Sequence, residues 1–192
     1  MRSVDDIGSR LRITGATIVA IVVVVASAAA QASVAAHQSV SKQRQVETLP
    51  LVTAADGRSV DIIKLSYDQP IVIIRFLGPL CSHCMQQIVA LNERASTFRT
   101  LNARVIAFSN NPPLKCAEVT RAYHIDTAVV TICSDTGNTC SQALGTTIVE
   151  TDGSTTDLHA FLVIDKGLVL YEYYSASPFM SFQSVIDMLA AR

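Results

Sequence analysis

The sequence has few aromatic and few charged side chains. It contains no tryptophan, aromatic residues make up 6% of its 192 residues, and charged residues make up 16%. Its 15 basic residues are balanced by 16 acidic ones, and no basic block stands out. Because binding to a nucleic-acid backbone needs clustered basic side chains, we expect no nucleic-acid partner. Internal repeats and long low-complexity segments are also lacking, so the length predicts one domain with an appendage.

Apolar residues are abundant, at 49%, and the longest uncharged stretch lies near the start. Residues 13–36 contain no charged side chain. As a helix this stretch would measure about 36 Å, which is enough to cross a hydrocarbon core. Arg2, Arg10 and Arg12 precede it. The pattern predicts that residues 1–12 are cytoplasmic and that the rest of the chain is exported.

Two interpretations of this stretch remain open. Its full length suits a single-pass membrane anchor, with the following domain on the periplasmic or extracytoplasmic side. Its most apolar part, residues 18–26, is short and is followed by Ala30-Gln31-Ala32, as in a signal peptide whose cleavage releases a secreted or periplasmic protein. Either interpretation permits disulfide chemistry. Residues 37–45 are polar and predict a linker, and residues 46–192 form the predicted domain.

The most informative stretch combines a strand, a turn and two cysteines. Residues 71–77 are apolar and rich in β-branched side chains, which predicts a buried strand. Gly78-Pro79 then breaks the chain, and Cys81-Ser82-His83-Cys84 opens a helical pattern. Unpaired N–H groups and the dipole at a helix start favour a thiolate, so the layout predicts a redox-active dithiol. The apolar stripe of the helix is Met85, Ile88, Leu91, Ala95 and Phe98.

Within this motif, position along the helix predicts the role of each residue. Cys81 should lie at the exposed edge and attack, Cys84 should resolve the mixed disulfide, and His83 should tune the Cys81 thiolate. A C-x-x-C pair can instead be half of a zinc site, but the other cysteines, Cys116, Cys133 and Cys140, offer no second closely spaced pair. A purely structural disulfide across one helical turn is the other alternative.

The remaining pattern alternates strands with helices and ends in a hairpin and a helix, which predicts an α/β domain. The strands are predicted at residues 46–53, 60–65, 103–109, 128–133, 160–164 and 168–174, and the helices at 114–123, 140–144 and from 177 onward.

In order along the chain, these features resemble the AhpC/TSA (peroxiredoxin-like, redoxin) family of thioredoxin-fold proteins. The resemblance covers residues 46–192. It rests on the Asp56-Gly57 hairpin, the C-x-x-C turn, Ser134-Asp135, Ala143-Leu144-Gly145 and the run from Phe161 to Gly167. It implies a thioredoxin-like fold, with a central mixed β-sheet flanked by helices and preceded by the N-terminal hydrophobic helix.

The resemblance also bears on the site. His159 stands where thioredoxins have a cis-proline and peroxiredoxins usually an arginine, so it is a candidate to polarise Cys81 or to contact substrate. Peroxiredoxins carry Pro-x-x-x-Thr/Ser-x-x-Cys. With Cys84 at the peroxidatic position, Leu77 and Cys81 replace the proline and the hydroxyl residue, which argues against a fast peroxidase.

The three other cysteines are expected near the dithiol edge of the sheet. A structural disulfide between Cys116 and Cys133, or between Cys116 and Cys140, would leave one thiol free. The sequence does not choose between these pairings.

Three functions follow from these features. The first is an exported thiol–disulfide oxidoreductase in which Cys81, Cys84, His83 and His159 act without a metal or organic cofactor. Its partners would be protein thiols or disulfides, a thiol reductant or oxidant, and the membrane through the N-terminal helix. The second is a thiol-dependent peroxidase with the same fold, and the third is a non-catalytic binding module.

Overall fold

The computed structural model describes residues 37–39 and 44–192. The predicted anchor or signal segment, residues 13–36, lies outside the described residues. Among the residues that are described, no helix combines the length and the apolar character needed to cross a bilayer.

A mixed sheet forms the centre of the domain. Its strands are β1 (His37–Ser39), β2 (Arg44–Gln45), β3 (Val52–Ala54), β4 (Ser59–Val60), β5 (Ile71–Arg75), β6 (Arg104–Ser109), β7 (Val130–Ser134), β10 (His159–Asp165) and β11 (Leu168–Ser175). A separate hairpin pairs β8 (Thr147–Val149) with β9 (Thr155–Asp157). The helices are α1 (Ile62–Asp68), α2 (Ser82–Asn92), α3 (Ala95–Thr100), α4 (Pro113–Ala122), α5 (Thr139–Ala143) and α6 (Phe182–Ala190).

The order of the strands places the start of β10 beside the end of β5. The sheet runs β1-β11-β10-β5-β6-β7-β3-β4, and β2 pairs with β11. The pairs β5–β6 and β6–β7 are parallel, whereas β10 is antiparallel to β5, with Ala160 opposite Arg75. Because β10 runs in the opposite direction, its first residue, His159, lies at the edge of the sheet where β5 ends.

The buried strands alternate their side chains between two apolar clusters, one on each face of the sheet. Val72 and Ile74 pack with residues of α2, α4 and α6, whereas Ile71 and Ile73 pack with residues of α1 and α5. The central strand β5 is therefore covered by helices on both sides. This confirms the predicted thioredoxin-like α/β fold with a central mixed sheet.

Several predicted boundaries were wrong for local reasons. The stretch 60–65 was predicted as a strand, but the Asp61 carboxylate accepts a hydrogen bond from the Lys64 amide at 2.9 Å and starts α1. The redox helix breaks between α2 and α3, although its apolar stripe stays buried. The last helix begins at Phe182 rather than at residue 177, and the loop before it accepts a hydrogen bond at the Phe179 carbonyl from Gln87 Nε2, at 2.8 Å.

Polar strands were also missed. Residues 37–45, predicted as a linker, include β1 and β2, both of which pair with β11. The hairpin β8–β9 had no predicted counterpart, and its last residue, Asp157, reaches the site described below.

Candidate active site

Cys81 and Cys84 form a disulfide at the start of α2, as the motif predicts. Their Cα atoms are 5.2 Å apart. Cys81 is the N-cap residue of α2, and its Sγ accepts a hydrogen bond from the Cys84 amide at 3.2 Å. An N–H group at the positive end of the helix dipole therefore points at Cys81, and this arrangement stabilises a thiolate there.

The two sulfurs differ in their access to solvent. Cys81 is partly exposed and follows the fully exposed Leu80, whereas Cys84 is completely buried in the core. The predicted position of Cys81 at the edge of the helix is confirmed, and the burial of Cys84 adds an asymmetry between the two sulfurs. Only Cys81 can be reached by a large substrate without movement of the helix.

The turn before Cys81 depends on Gly78. This residue has a φ of +129°, where side chains are rarely tolerated, and its carbonyl accepts a hydrogen bond from the Cys81 amide at 3.1 Å. A Cβ at this position would lie 2.6 Å from Asn111 Nδ2. The loop is therefore fixed both by its backbone conformation and by the neighbouring loop after β6.

His159 faces both sulfurs from the first position of β10. Its Nε2 lies 3.1 Å from Cys84 Sγ and 3.8 Å from Cys81 Sγ. The predicted proximity to the dithiol is confirmed, but the closer sulfur is that of Cys84 rather than Cys81. The His159 side chain is buried, and its Nδ1 has no well-aligned hydrogen-bond partner within the described residues.

The surroundings of His159 favour its neutral form. Burial lowers its pKa below the usual value of 6.5, backbone groups of Ala176 and Ser175 act in the opposite direction, and the charges of Arg75 and His83 lower the pKa further. A neutral imidazole can accept a proton from a thiol, which a cationic one cannot.

His83 makes no hydrogen bond to Cys81 or Cys84 within the described residues. It is exposed on the first turn of α2, and the hydrogen bonds to the two sulfurs found in the described residues come from His159 and the Cys84 amide. The prediction that His83 tunes the Cys81 thiolate stays a prediction, because a cation beside the thiolate could act without a hydrogen bond. The charge of His83 contributes to lowering the pKa of His159.

A buried cation lies next to the site and was missed in the sequence. Arg75, at the end of β5, is fully buried, and its Nη2 lies 2.5 Å from Asp157 Oδ2, as an ion pair rather than a well-aligned hydrogen bond. Arg75 Nε also lies 3.4 Å from the Ser141 hydroxyl, which donates to the buried Asp135 carboxylate at 2.7 Å. The signal in the sequence was one arginine at the end of an otherwise apolar strand.

The other three cysteines are free thiols, all of them buried. The predicted structural disulfide is not formed. Cys116 packs in the cluster on one face of the sheet, whereas Cys133 and Cys140 pack in the cluster on the other face. The sheet therefore separates Cys116 from both predicted partners. Burial raises the pKa of Cys116 to about 11 and the pKa values of Cys133 and Cys140 to about 12.

Comparison with solved structures assigns the fold to the thioredoxin-like class. The bacterioferritin comigratory protein of Xanthomonas campestris is similar, with a TM-score of 0.66, 12% identity, and coverage of 77% of this chain and 98% of that one. Peroxidoxin BcpB from Mycobacterium tuberculosis is similar with a TM-score of 0.65 and 19% identity, over 77% of this chain and 97% of that one. A structure described as a putative thioredoxin reductase from Burkholderia cenocepacia has a TM-score of 0.61 and 20% identity, over 78% of this chain and 97% of that one.

The chain belongs to the AhpC/TSA family. The model of that family matches residues 45–172, which is more than half of the chain. No curated protein gives a significant match. The resemblance recognised in the sequence is thereby confirmed, and a family built on thiol chemistry agrees with the disulfide found at α2.

Proposed function

We propose that this protein is an exported thiol–disulfide oxidoreductase that works through Cys81 and Cys84. One observation carries the proposal: a disulfide at a helix start joins an accessible sulfur to a buried one, and a histidine lies against the buried sulfur. A purely structural disulfide would need neither this asymmetry nor the histidine.

The reducing direction of the reaction starts at Cys81. Its thiolate attacks one sulfur of a substrate disulfide, forms a mixed disulfide and releases the other substrate sulfur as a thiolate. An apolar groove lined by Pro79, Leu80, Met85, Val89 and Tyr123 lies beside Cys81 and can take an extended substrate segment. The substrate class is therefore a protein disulfide with apolar neighbours.

Resolution then requires deprotonation of the Cys84 thiol. His159 Nε2, 3.1 Å away, accepts that proton, and the Cys84 thiolate attacks Cys81 Sγ. The second substrate thiolate leaves and the Cys81–Cys84 disulfide forms, so two electrons pass from the chain to the substrate. The oxidising direction is the reverse sequence, and the reduction potential of the pair against its partners decides which one operates.

The proposal is tested by insulin reduction in the presence of a thiol reductant and by the refolding of scrambled ribonuclease. We expect activity in at least one of the two assays, and we expect Cys81→Ser to abolish it. Wild-type protein that is inactive in both assays would contradict the proposal. Alkylation of the reduced pair no faster than that of a peptide thiol would favour a binding module.

Peroxide reduction at Cys84 is a second candidate, favoured by membership of the AhpC/TSA family. In this chain the peroxidatic position is buried, and Leu77 and Cys81 replace the proline and hydroxyl residue of the peroxiredoxin loop. We expect any peroxide consumption to be slow. Rapid consumption that is lost in Cys84→Ser and retained in Cys81→Ser would favour the peroxidase.

The exported location is also part of the proposal. It is supported by the uncharged stretch at residues 13–36 and by a dithiol chemistry that suits an oxidising compartment. Fractionation of cells that express the full chain tests it. Recovery of the protein with the membrane or outside the cytoplasm is expected, and recovery only in the cytoplasm would contradict it.

A further inference from the structure

The two active-site sulfurs and the His159 ring converge on one point. Cys81 Sγ, Cys84 Sγ and His159 Nε2 all lie within 4.8 Å of one another. From the sequence, a zinc site needed a second closely spaced ligand pair, and the chain has none. The fold supplies a third ligand atom instead, from the far end of the sequence, because β10 runs antiparallel to β5.

The observed separations of the two sulfurs from the imidazole nitrogen suit a tetrahedral metal ion. With metal–sulfur bonds of about 2.3 Å and a metal–nitrogen bond of about 2.0 Å, a tetrahedral angle separates sulfur from nitrogen by about 3.5 Å. The two observed separations, 3.1 Å from Cys84 and 3.8 Å from Cys81, lie on either side of that value. Reduction of the disulfide lets the two sulfurs move apart, and the accessible Cys81 has room to do so.

We propose that the reduced form of the protein binds one thiophilic metal ion, Zn²⁺ or Cu⁺, through Cys81, Cys84 and His159. Two thiolates and one imidazole are the soft and borderline donors that these ions prefer. Binding displaces the two thiol protons and leaves two negatively charged sulfurs. Their attraction for the cation outweighs its repulsion by the partial positive charge at the start of α2.

The exposure of Cys81 leaves a coordination position open toward solvent. Three protein ligands and one open position describe an exchangeable site rather than a closed structural one. Oxidation of the pair by a substrate disulfide sends two electrons to that substrate and removes both thiolates. The ion is then released, so metal binding and disulfide exchange exclude each other. This metal site rests on the proposed function only in requiring that the Cys81–Cys84 pair can be reduced, and it does not depend on whether the protein reduces or oxidises its substrates.

The test uses the full chain, reduced without oxygen, and titrates it separately with Zn²⁺ and with Cu⁺ against a chromophoric competitor. We expect one ion per chain, with a dissociation constant of about 1 µM or tighter for at least one of the two metals. The disulfide form should bind neither metal. Failure of the reduced protein to bind either ion would overturn the proposal, whatever the outcome of the insulin assay.

Variants identify the third ligand. His159→Asn should weaken binding by about 100-fold or more, because it removes a ligand and loss of a group that merely supports a ligand already costs roughly 10- to 100-fold. His124→Asn, the same change at an exposed histidine outside the site, should leave binding unchanged. Loss of binding in His83→Asn, with binding retained in His159→Asn, would overturn the assignment. If His159→Asn does not fold, X-ray absorption on the metal-loaded wild type decides. Two sulfurs with one imidazole support the site, and a shell without imidazole contradicts it.

Discussion

His159 Nε2 lies closer to Cys84 Sγ than to Cys81 Sγ, at 3.1 Å against 3.8 Å. The ring therefore contacts most closely the buried sulfur, which has the least access to water as a proton acceptor. In the disulfide exchange proposed above, the imidazole would therefore act at the resolving step. The Cys81 thiolate is stabilised separately, by the helix start and the Cys84 amide.

Replacing His159 with asparagine should slow the resolving step more than the attacking step. Without a base, the Cys84 thiol must lose its proton to solvent, so we expect resolution at neutral pH to slow by about tenfold or more. Stopped-flow measurement of mixed-disulfide formation and decay separates the two steps. Wild type and variant should converge at high pH, where Cys84 ionises unaided, and a difference that persists there would indicate a purely structural role. His124→Asn serves as the control.

Burial of His159 also predicts how stability depends on pH. Because its pKa is lowered in the folded state, the unfolded chain binds more protons in the window between that lowered pKa and 6.5. The free energy of unfolding should therefore rise with pH through this window. Above pH 6.5 the titration of His159 should contribute no further rise. Urea unfolding of the disulfide form, with a chelator present, measures the slope. His159→Asn should reduce the slope, and an unchanged slope would contradict the assignment.

The ion pair between Arg75 and Asp157 should contribute to stability through burial. Asp157→Asn leaves a fully buried guanidinium without its charged partner, so we expect a loss of about 2 kcal/mol in the free energy of unfolding. Glu118→Gln removes the carboxylate of an exposed pair with Lys115 and should cost less than about 0.5 kcal/mol. Equal losses of unfolding free energy in the two variants would show that burial does not make the Arg75–Asp157 pair more stabilising than the exposed pair.

The cysteines should fall into two reactivity classes. With pKa values of about 11 for Cys116 and about 12 for Cys133 and Cys140, and with all three buried, these thiols form almost no thiolate at neutral pH. In the reduced native protein, iodoacetamide should label Cys81 first and these three only after unfolding. Mass spectrometry of timed samples checks this, and early labelling of Cys133 or Cys140 would contradict it.

The sequence predicted the position of the C-x-x-C pair at a helix start better than it predicted the surroundings of that pair. The C-x-x-C pair and the strand before it are adjacent in the chain, so local patterns sufficed to place them. His159 was placed only through the family resemblance, since its position depends on pairing between β5 and β10. Arg75 and Asp157 were missed because their partnership joins a strand to a polar hairpin whose sequence carries no apolar alternation.

Other errors had the same origin in tertiary structure. The run 60–65 has the β-branched composition of a strand, yet the Asp61 cap and burial of Ile62 and Ile63 make it helical. The pairing predicted for Cys116 assumed that thiols at one edge of the sheet can meet. Cys116 lies on α4, which packs on one face of the sheet, whereas alternation along β7 turns Cys133 to the other face, and this register could not be read from the sequence.

Trapping of a mixed disulfide tests the central claim most directly. Full-length Cys84→Ser, reduced and then mixed with insulin, should accumulate a covalent adduct through Cys81, because the attacking sulfur is present and the resolving one is absent. Mapping by mass spectrometry should find insulin on Cys81 and on no other cysteine, and Cys81→Ser should give no adduct. Absence of an adduct in Cys84→Ser, or equal trapping in Cys81→Ser, would contradict the account.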